Sequence, residues 1–189
     1  MLEERQDHTM KLPDGRTLGW AQYGAINGKP LLYFHGGVRS RLDIEFANRH
    51  CQERGIRTIA PDRPVIGIPS PQPKRSLLDW TNDVEHLLNH LNIESLPLLG
   101  WSLAGPYVWA CAYKLPQRFT KISTVGGASP ILPPVKVEQL GLLADRMLLS
   151  CPPALESVLA ASLDASGKLP APTMKWILEN ELSDNDKAI

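Results

Sequence analysis

The 189-residue sequence lacks several features that would each point to a particular class of protein. Its three cysteines are too few, and odd in number, for a disulfide scaffold. Its 20 basic and 20 acidic residues cancel, so it has no net positive charge for binding nucleic acid or anionic membranes. No apolar run approaches the roughly 18 residues of a membrane span, and the polar segment 1–10 lacks the apolar region of a secretory signal. We therefore expect a soluble, cytoplasmic protein that binds neither nucleic acid nor membrane.

What the sequence does contain is an alternation of short apolar runs and helical periodicity. A hairpin is predicted around Pro13-Asp14-Gly15, and further strands over Leu31–Phe34, Ile56–Ala60, Leu96–Gly100 and Lys121–Val125. Helices are predicted from Ser40 to Gly55, from Ser76 to Leu91 and from Leu103 to Leu115. Capping boxes are expected at the first two helix starts, formed by Ser40 with Asp43 and by Ser76 with Asp79. This order predicts an α/β fold with a mostly parallel sheet and helices on both faces. After residue 130 only helical candidates follow, so we predict an α/β core over 1–129 and a helical appendage over 130–189.

The segment Gly100-Trp101-Ser102-Leu103-Ala104 lies where a predicted strand turns into a helix. A serine on such a turn projects its hydroxyl outward, provided that the residues two positions away on each side are small. The free N–H groups at the helix start make the Leu103 N–H a candidate oxyanion donor. The alternative interpretation is a strand end whose serine merely caps a helix. The loop His35-Gly36-Gly37, after an earlier strand, lies where a second oxyanion donor is needed and favours the catalytic interpretation.

The segment 12–130 resembles the core of an α/β-hydrolase-fold protein. The resemblance rests on Asp14-Gly15-Arg16, Phe34-His35-Gly36-Gly37, Pro61-Asp62-Arg63-Pro64, Leu77-Leu78-Asp79-Trp80 and Gly100-Trp101-Ser102 followed by Gly105-Pro106-Tyr107. It implies that Ser102 is the nucleophile, that the N–H groups of Gly37 and Leu103 form the oxyanion hole, and that 130–189 begins a helical cap. His35, Gly36 and Trp101 are expected to line the pocket or orient the oxyanion loop.

A histidine after the serine is missing from this sequence. A serine hydroxyl needs a base to take its proton, and in this family the chain order is serine, then acid, then histidine. All five histidines precede Ser102: His8, His35, His50, His86 and His90. Relative to the family, the chain is expected to be C-terminally truncated, without the last strands of the sheet. The base would then come from a missing C-terminal part, another chain or the substrate.

Other polar and aromatic residues have less specific interpretations. Asp79, Asp83, His86 and His90 lie opposite the leucines of one predicted helix, which favours a solvated polar face over a metal site. We predict no bound metal and no cofactor. Trp80, Trp101 and Trp109 are expected in the core or the pocket wall, and Cys111 is expected to be a buried hydrophobic residue.

The sequence therefore predicts a serine hydrolase that acts through Ser102 on a small apolar ester, lactone or similar acyl substrate. Two alternatives stay open: an inactive family member that binds a small apolar molecule or a partner, and a non-hydrolytic cyclase or isomerase using the same pocket. A sheet without its last strands exposes an edge at Lys121–Val125. We expect that edge to pair with a second copy in a homodimer.

Overall fold

The computed structural model of the chain describes residues 4–37, 39–63 and 76–127. The chain divides into two units, Met1–Ser129 and Pro130–Ile189, and all described residues belong to the first. The helices predicted within 130–189, and the cap that they would begin, lie outside the described residues. Within the described residues, no helix is both long and apolar enough to cross a membrane.

Six strands form one sheet within the described residues. They are β1 (Gln6–Lys11), β2 (Thr17–Gly24), β3 (Lys29–Phe34), β4 (Ile56–Pro61), β5 (Leu96–Trp101) and β6 (Phe119–Val125). Their order in the sheet is β1-β2-β4-β3-β5-β6. The first two strands form the predicted antiparallel hairpin, and β2 also runs antiparallel to β4. The pairs β3–β4, β3–β5 and β5–β6 are parallel, so the predicted mostly parallel α/β sheet is confirmed.

The side chains of β3 show how the sheet has two buried faces. Leu32 and Phe34 belong to a large apolar cluster that includes residues of helices α2 (Asp79–His90) and α3 (Gly105–Lys114). Tyr33, between them, belongs to a smaller cluster on the other face. Because successive residues of a strand point to opposite faces, a central strand covered on both sides is apolar throughout. The carboxyl end of β3 is therefore held from both sides just before the loop at His35.

Two helices begin later than the sequence predicts. The helix expected from Ser40 is instead a 3-10 turn at Glu45–Ala47 followed by α1 (Asn48–Glu53). Asp43, expected to complete a capping box with Ser40, instead accepts hydrogen bonds from the Tyr33 hydroxyl at 3.0 Å and the Gly36 N–H at 3.2 Å. The helix expected from Leu103 is preceded by a 3-10 turn at Ser102–Ala104. Asp43 is thus bound to the end of β3 and to the loop that follows it, and is not free to cap a helix.

The helix α2 has the predicted apolar face and capping box, but its polar face is only partly solvated. The Ser76 N–H donates to Asp79 Oδ2 at 2.8 Å, and the Asp79 N–H donates to Ser76 Oγ at 3.3 Å. Asp83, predicted to be solvated, is buried and accepts two hydrogen bonds from the Arg16 guanidinium at 2.9 and 2.7 Å. The arginine that neutralises it comes from the hairpin, far away in sequence, which is why helix periodicity alone gave the wrong environment.

The strand β6 lies at one end of the described sheet and is hydrogen-bonded there to β5. Its Val125 side chain is exposed. An edge strand with unpaired backbone groups is a template for pairing with another chain. The homodimer through this edge stays a prediction.

Candidate functional site

Ser102 occupies a strained position directly after β5. Its φ is +54°, and among the described residues only Asn92 and Ser102 have positive φ without being glycine. A non-glycine residue is uncommon in this region, because its Cβ crowds the backbone. Such strain persists only where surrounding structure enforces it, and it is concentrated at functional sites. Here the enforcing structure is the junction of a buried strand with the 3-10 turn that leads into α3.

The packing of α3 against the end of β5 leaves room only for small residues at positions 100 and 104. A Cβ at Gly100 would overlap Val108 Cγ2 and would lie 3.2 Å from Ala104 Cβ. Both Ala104 and Val108 are fully buried, so neither has room to move away. Ala104 stands where the strict motif has glycine, and its methyl group fits in this packing. The structure therefore accommodates the turn that the sequence spacing predicts.

The loop at His35 lies against the serine turn. A Cβ at Gly36 would lie 3.8 Å from Ser102 Cβ, and a Cβ at Gly37 would overlap Leu103 Cδ1 and lie 3.1 Å from Leu103 Cγ. Since β3 and β5 are adjacent and parallel, their carboxyl ends meet at the same edge of the sheet. The structure thus brings together Gly36, Gly37, Ser102 and Leu103, which the sequence assigns to one site.

The direction of the Leu103 N–H follows from the 3-10 turn. The Ser102 carbonyl accepts a hydrogen bond from the Gly105 N–H, so it points along the turn into α3. The Leu103 N–H belongs to the same planar trans peptide and points the opposite way. It is therefore directed away from α3, as an oxyanion donor needs to be.

His35 is fully buried, and both of its ring nitrogens are engaged. Its Nδ1 lies 2.8 Å from the Gly36 carbonyl oxygen, and its Nε2 accepts a hydrogen bond from the Arg63 N–H at 3.2 Å. These partners fit the neutral tautomer with the proton on Nδ1. Burial, with the nearby Arg63 charge, lowers the pKa of His35 from 6.5 to about 4. His35 thus contacts the backbone of Gly36 and Arg63, and neither of its ring nitrogens is left to accept a proton from Ser102.

Replacing His35 with glutamine is expected to flatten the pH dependence of stability in mild acid. Since the folded-state pKa of His35 is lowered, the unfolded chain binds the extra proton between about pH 6.5 and about pH 4. Stability from this group is present at neutral pH and is lost as pH falls, by about 1.4 kcal/mol per pH unit in that window. Urea unfolding between about pH 4 and pH 6.5 measures the slope of the unfolding free energy against pH. The slope is expected to be smaller in His35→Gln than in the wild type. Equal slopes in the two proteins would show that His35 does not cause the loss of stability in acid.

Two residues whose place in the site the sequence does not reveal hold this loop in position. Asp43, interpreted only as a capping residue, binds the Gly36 N–H. Arg63 donates from its guanidinium to the Gly36 and Gly37 carbonyl oxygens, the latter at 3.1 Å. Only the position of Arg63 in the chain could have indicated this role. Arg63 follows β4, and the carboxyl end of β4 lies beside that of β3. Residue type alone does not reveal which carbonyl groups an arginine reaches.

The remaining predicted residues have different surroundings. Trp101 is 39% exposed and lines an apolar groove of about 300 Å³ with Tyr33, Leu99 and Val125, on the face of the smaller cluster; Ser102 is not among its lining residues. Cys111 is buried as predicted, and burial raises the pKa of its thiol to about 12. Trp109, expected in the core or the pocket wall, is 52% exposed and is therefore not a core residue. Within the described residues, no group of three or more histidine, cysteine, aspartate or glutamate side chains is placed to hold a metal ion.

Comparison with known proteins identifies the fold. A family model described as the alpha/beta hydrolase fold matches residues 29–178. The uncharacterized hydrolase YcgS of Bacillus subtilis (strain 168) is 34% identical over 110 residues, which are 58% of this chain and 38% of that protein. The dihydrolipoyllysine-residue acetyltransferase component of the acetoin cleaving system of Pseudomonas putida is 32% identical over 115 residues, 60% of this chain and 31% of that protein. The chain thus spans well under half the length of these curated relatives.

A solved structure gives the same fold. The thioesterase domain from the curacin biosynthetic pathway superimposes with a TM-score of 0.62 at 19% identity, covering 72% of this chain and 50% of that chain. At this identity the likeness concerns the fold. Together with the family match over 29–178, it confirms the fold that the sequence predicts, and the chain belongs to the α/β-hydrolase-fold family.

Proposed function

We propose that this protein is a serine hydrolase that cleaves small ester, thioester or lactone substrates through Ser102. The observation that carries the proposal is the enforced φ of +54° at Ser102 beside the Gly36-Gly37 loop. A serine that only caps a helix has extended backbone geometry and needs no strain. A serine that must present its hydroxyl above a sheet edge adopts this strained turn.

In the proposed reaction, Ser102 Oγ attacks the acyl carbon of the substrate. A base takes the hydroxyl proton, and the carbonyl oxygen becomes an oxyanion that accepts hydrogen bonds from the Gly37 and Leu103 N–H groups. The leaving group departs with a proton, and water then releases the acyl group from the serine. Because both ring nitrogens of His35 are engaged, His35 is not the base, and another group has to supply it.

The proposed substrate class follows from the nucleophile and is supported by relatives. Serine as a nucleophile suits acyl chemistry. The names of the similar proteins include a hydrolase, an acetyltransferase component and a thioesterase domain. We propose that the substrate is small and apolar, that no metal or cofactor takes part, and that the protein acts in the cytoplasm.

A fluorophosphonate probe tests this proposal directly. It is expected to attach to Ser102 of the native full-length chain, with the modified peptide identified by mass spectrometry, because an activated serine attacks the probe as it would attack an ester. Ser102→Ala is expected to remove the labelling. Ser123→Ala, which changes an exposed serine on β6, is expected to keep it.

The competing interpretation is an inactive family member that binds ligands without turning them over. It is favoured by the engaged state of His35 and predicts a folded protein that is not labelled at Ser102. Absence of labelling in a sample whose folding is verified by circular dichroism would exclude the hydrolase and leave the binding protein. Labelling with no release of acid from any ester would instead favour the cyclase or isomerase.

A further inference from the structure

We infer that Arg63 is a positioning residue that sets the direction of the Gly37 N–H in the oxyanion hole. The inference rests on the proposed function, because an oxyanion forms only if Ser102 acts as a nucleophile. It concerns a residue that touches no reacting atom in this arrangement. Its effect would pass through the backbone of the oxyanion loop.

The contacts of Arg63 join the two parts of the site. Its guanidinium donates to the carbonyl oxygens of Gly36 and Gly37 in the oxyanion loop. The same side chain donates from Nη1 to the Leu103 carbonyl oxygen, at 3.3 Å, in the serine turn. One side chain therefore ties the loop after β3 to the turn after β5, which are the two loops that carry the candidate oxyanion donors.

The bond to Gly36 is the one that fixes a donor. The Gly36 carbonyl and the Gly37 N–H belong to one planar trans peptide and point in opposite directions. Holding that carbonyl oxygen toward Arg63 therefore directs the Gly37 N–H away from Arg63. His35 Nδ1 contacts the same oxygen, and Asp43 binds the Gly36 N–H, so both peptide groups of Gly36 are held. The Gly37 N–H has no freedom to rotate away while these contacts last.

The burial of Arg63 supports a role inside the protein. Its exposed fraction is 4%, and its guanidinium carbon lies 4.8 Å from the centre of the Tyr107 ring. Among the described residues it forms no salt bridge. A buried charge must be compensated, and here three carbonyl oxygens accept its hydrogen bonds and the aromatic face of Tyr107 lies beside it, in place of a carboxylate. The planar fork of donors on arginine suits several carbonyl groups at once, whereas lysine offers a single ammonium.

Removing the hydrogen bonds of the Arg63 guanidinium should specifically weaken the stabilisation of the oxyanion. A misplaced donor in an active site can reduce the rate by about 100-fold. Arg63→Met keeps most of the side-chain length and removes all of its donors. We expect kcat/KM for 4-nitrophenyl acetate to fall by about 100-fold. Arg63→Lys, which retains the charge and one donor group, is expected to lie between Arg63→Met and wild type.

The decisive measurement is the ratio of kcat/KM for 4-nitrophenyl acetate to that for its thiono analogue. Sulfur accepts hydrogen bonds weakly, so the thionoester gains little from the oxyanion hole. If Arg63 positions the Gly37 N–H, the ester rate falls much more than the thionoester rate, and the ratio shrinks. If Arg63 merely holds the fold together, both rates fall by the same factor, because only the amount of active protein changes. The ratio therefore stays meaningful even for a variant that folds incompletely.

Arg57→Met is the matched control, since it removes a half-buried guanidinium from β4 without touching the loop. It is expected to keep the wild-type ratio. Suppose that the wild type is active and that Arg63→Met has the same ratio as the wild type. That result overturns the inference and leaves the proposed function standing. If Arg63→Met does not fold, the ratio of Arg63→Lys decides in its place. A folded wild type that neither hydrolyses the ester nor reacts with a fluorophosphonate overturns both.

Discussion

Replacing Ser102 with alanine is expected to lower kcat/KM for ester hydrolysis by about 1,000-fold or more. The expectation follows from the single hydroxyl that the strand-to-helix turn presents beside Gly36. Without Oγ no acyl-enzyme forms, and the N–H groups that remain act only on a direct attack by water. Steady-state kinetics with a 4-nitrophenyl ester measure the loss. A variant that retains more than a tenth of the wild-type rate would assign the nucleophile to another residue.

A second substitution at position 102 distinguishes the effect of losing the hydroxyl group from the effect of backbone strain. Ser102→Gly also lacks the hydroxyl, so it should be as inactive as Ser102→Ala. Glycine adopts positive φ freely, whereas alanine keeps the Cβ that crowds the backbone at φ +54°. Ser102→Gly is therefore expected to unfold with a free energy about 1 kcal/mol higher than that of Ser102→Ala. Equal stabilities in urea would mean that the turn imposes no strain at this position.

The sequence was sufficient where local pattern and backbone geometry decide the outcome. The Pro13-Asp14-Gly15 turn, the apolar run of β3 and the small residues around Ser102 each allow few conformations. Adjacent parallel strands then bring the loop at His35 and the turn at Ser102 to one edge of the sheet. The fold, and the meeting of these two loops at one edge, were therefore predictable without knowledge of any long-range side-chain contact.

The parts that sequence could not supply depend on long-range polar partners. Asp83 on α2 is buried because Arg16 reaches it from the hairpin. Asp43, expected to cap a helix, instead accepts a hydrogen bond from the Gly36 N–H. Nothing in the sequence around Arg63 indicates its partners, yet it donates hydrogen bonds to three carbonyl groups from two other loops. Periodicity reports which side of a helix is apolar but carries no information about such partners. For this reason the sequence predicted which two loops meet but missed the polar groups that hold them together.

Replacing Trp80 with alanine is expected to reduce the free energy of unfolding by about 3–5 kcal/mol. The indole is fully buried on α2, where it meets the Phe34 ring edge-on at 5.6 Å and the Tyr107 ring at 6.3 Å between centroids. Its loss would leave a cavity that the surrounding strands cannot close, since Phe34 is fixed in β3. Chemical denaturation of the full-length chain measures the change.

The same substitution should also slow ester hydrolysis by the molecules that remain folded, because Trp80 supports both sides of the site. Phe34 is the residue before His35, and Tyr107 carries the guanidinium of Arg63 on its ring. Trp109→Ala provides a matched control on α3: that side chain is 52% exposed, and its loss should change stability by no more than about 0.5 kcal/mol. Trp80→Phe keeps an aromatic ring between Phe34 and Tyr107, and it should recover most of the rate while remaining less stable than wild type. Similar losses for Trp80→Ala and Trp109→Ala would show that Trp80 does not anchor this core, and an unchanged rate in folded Trp80→Ala would show that the oxyanion loop is held without it.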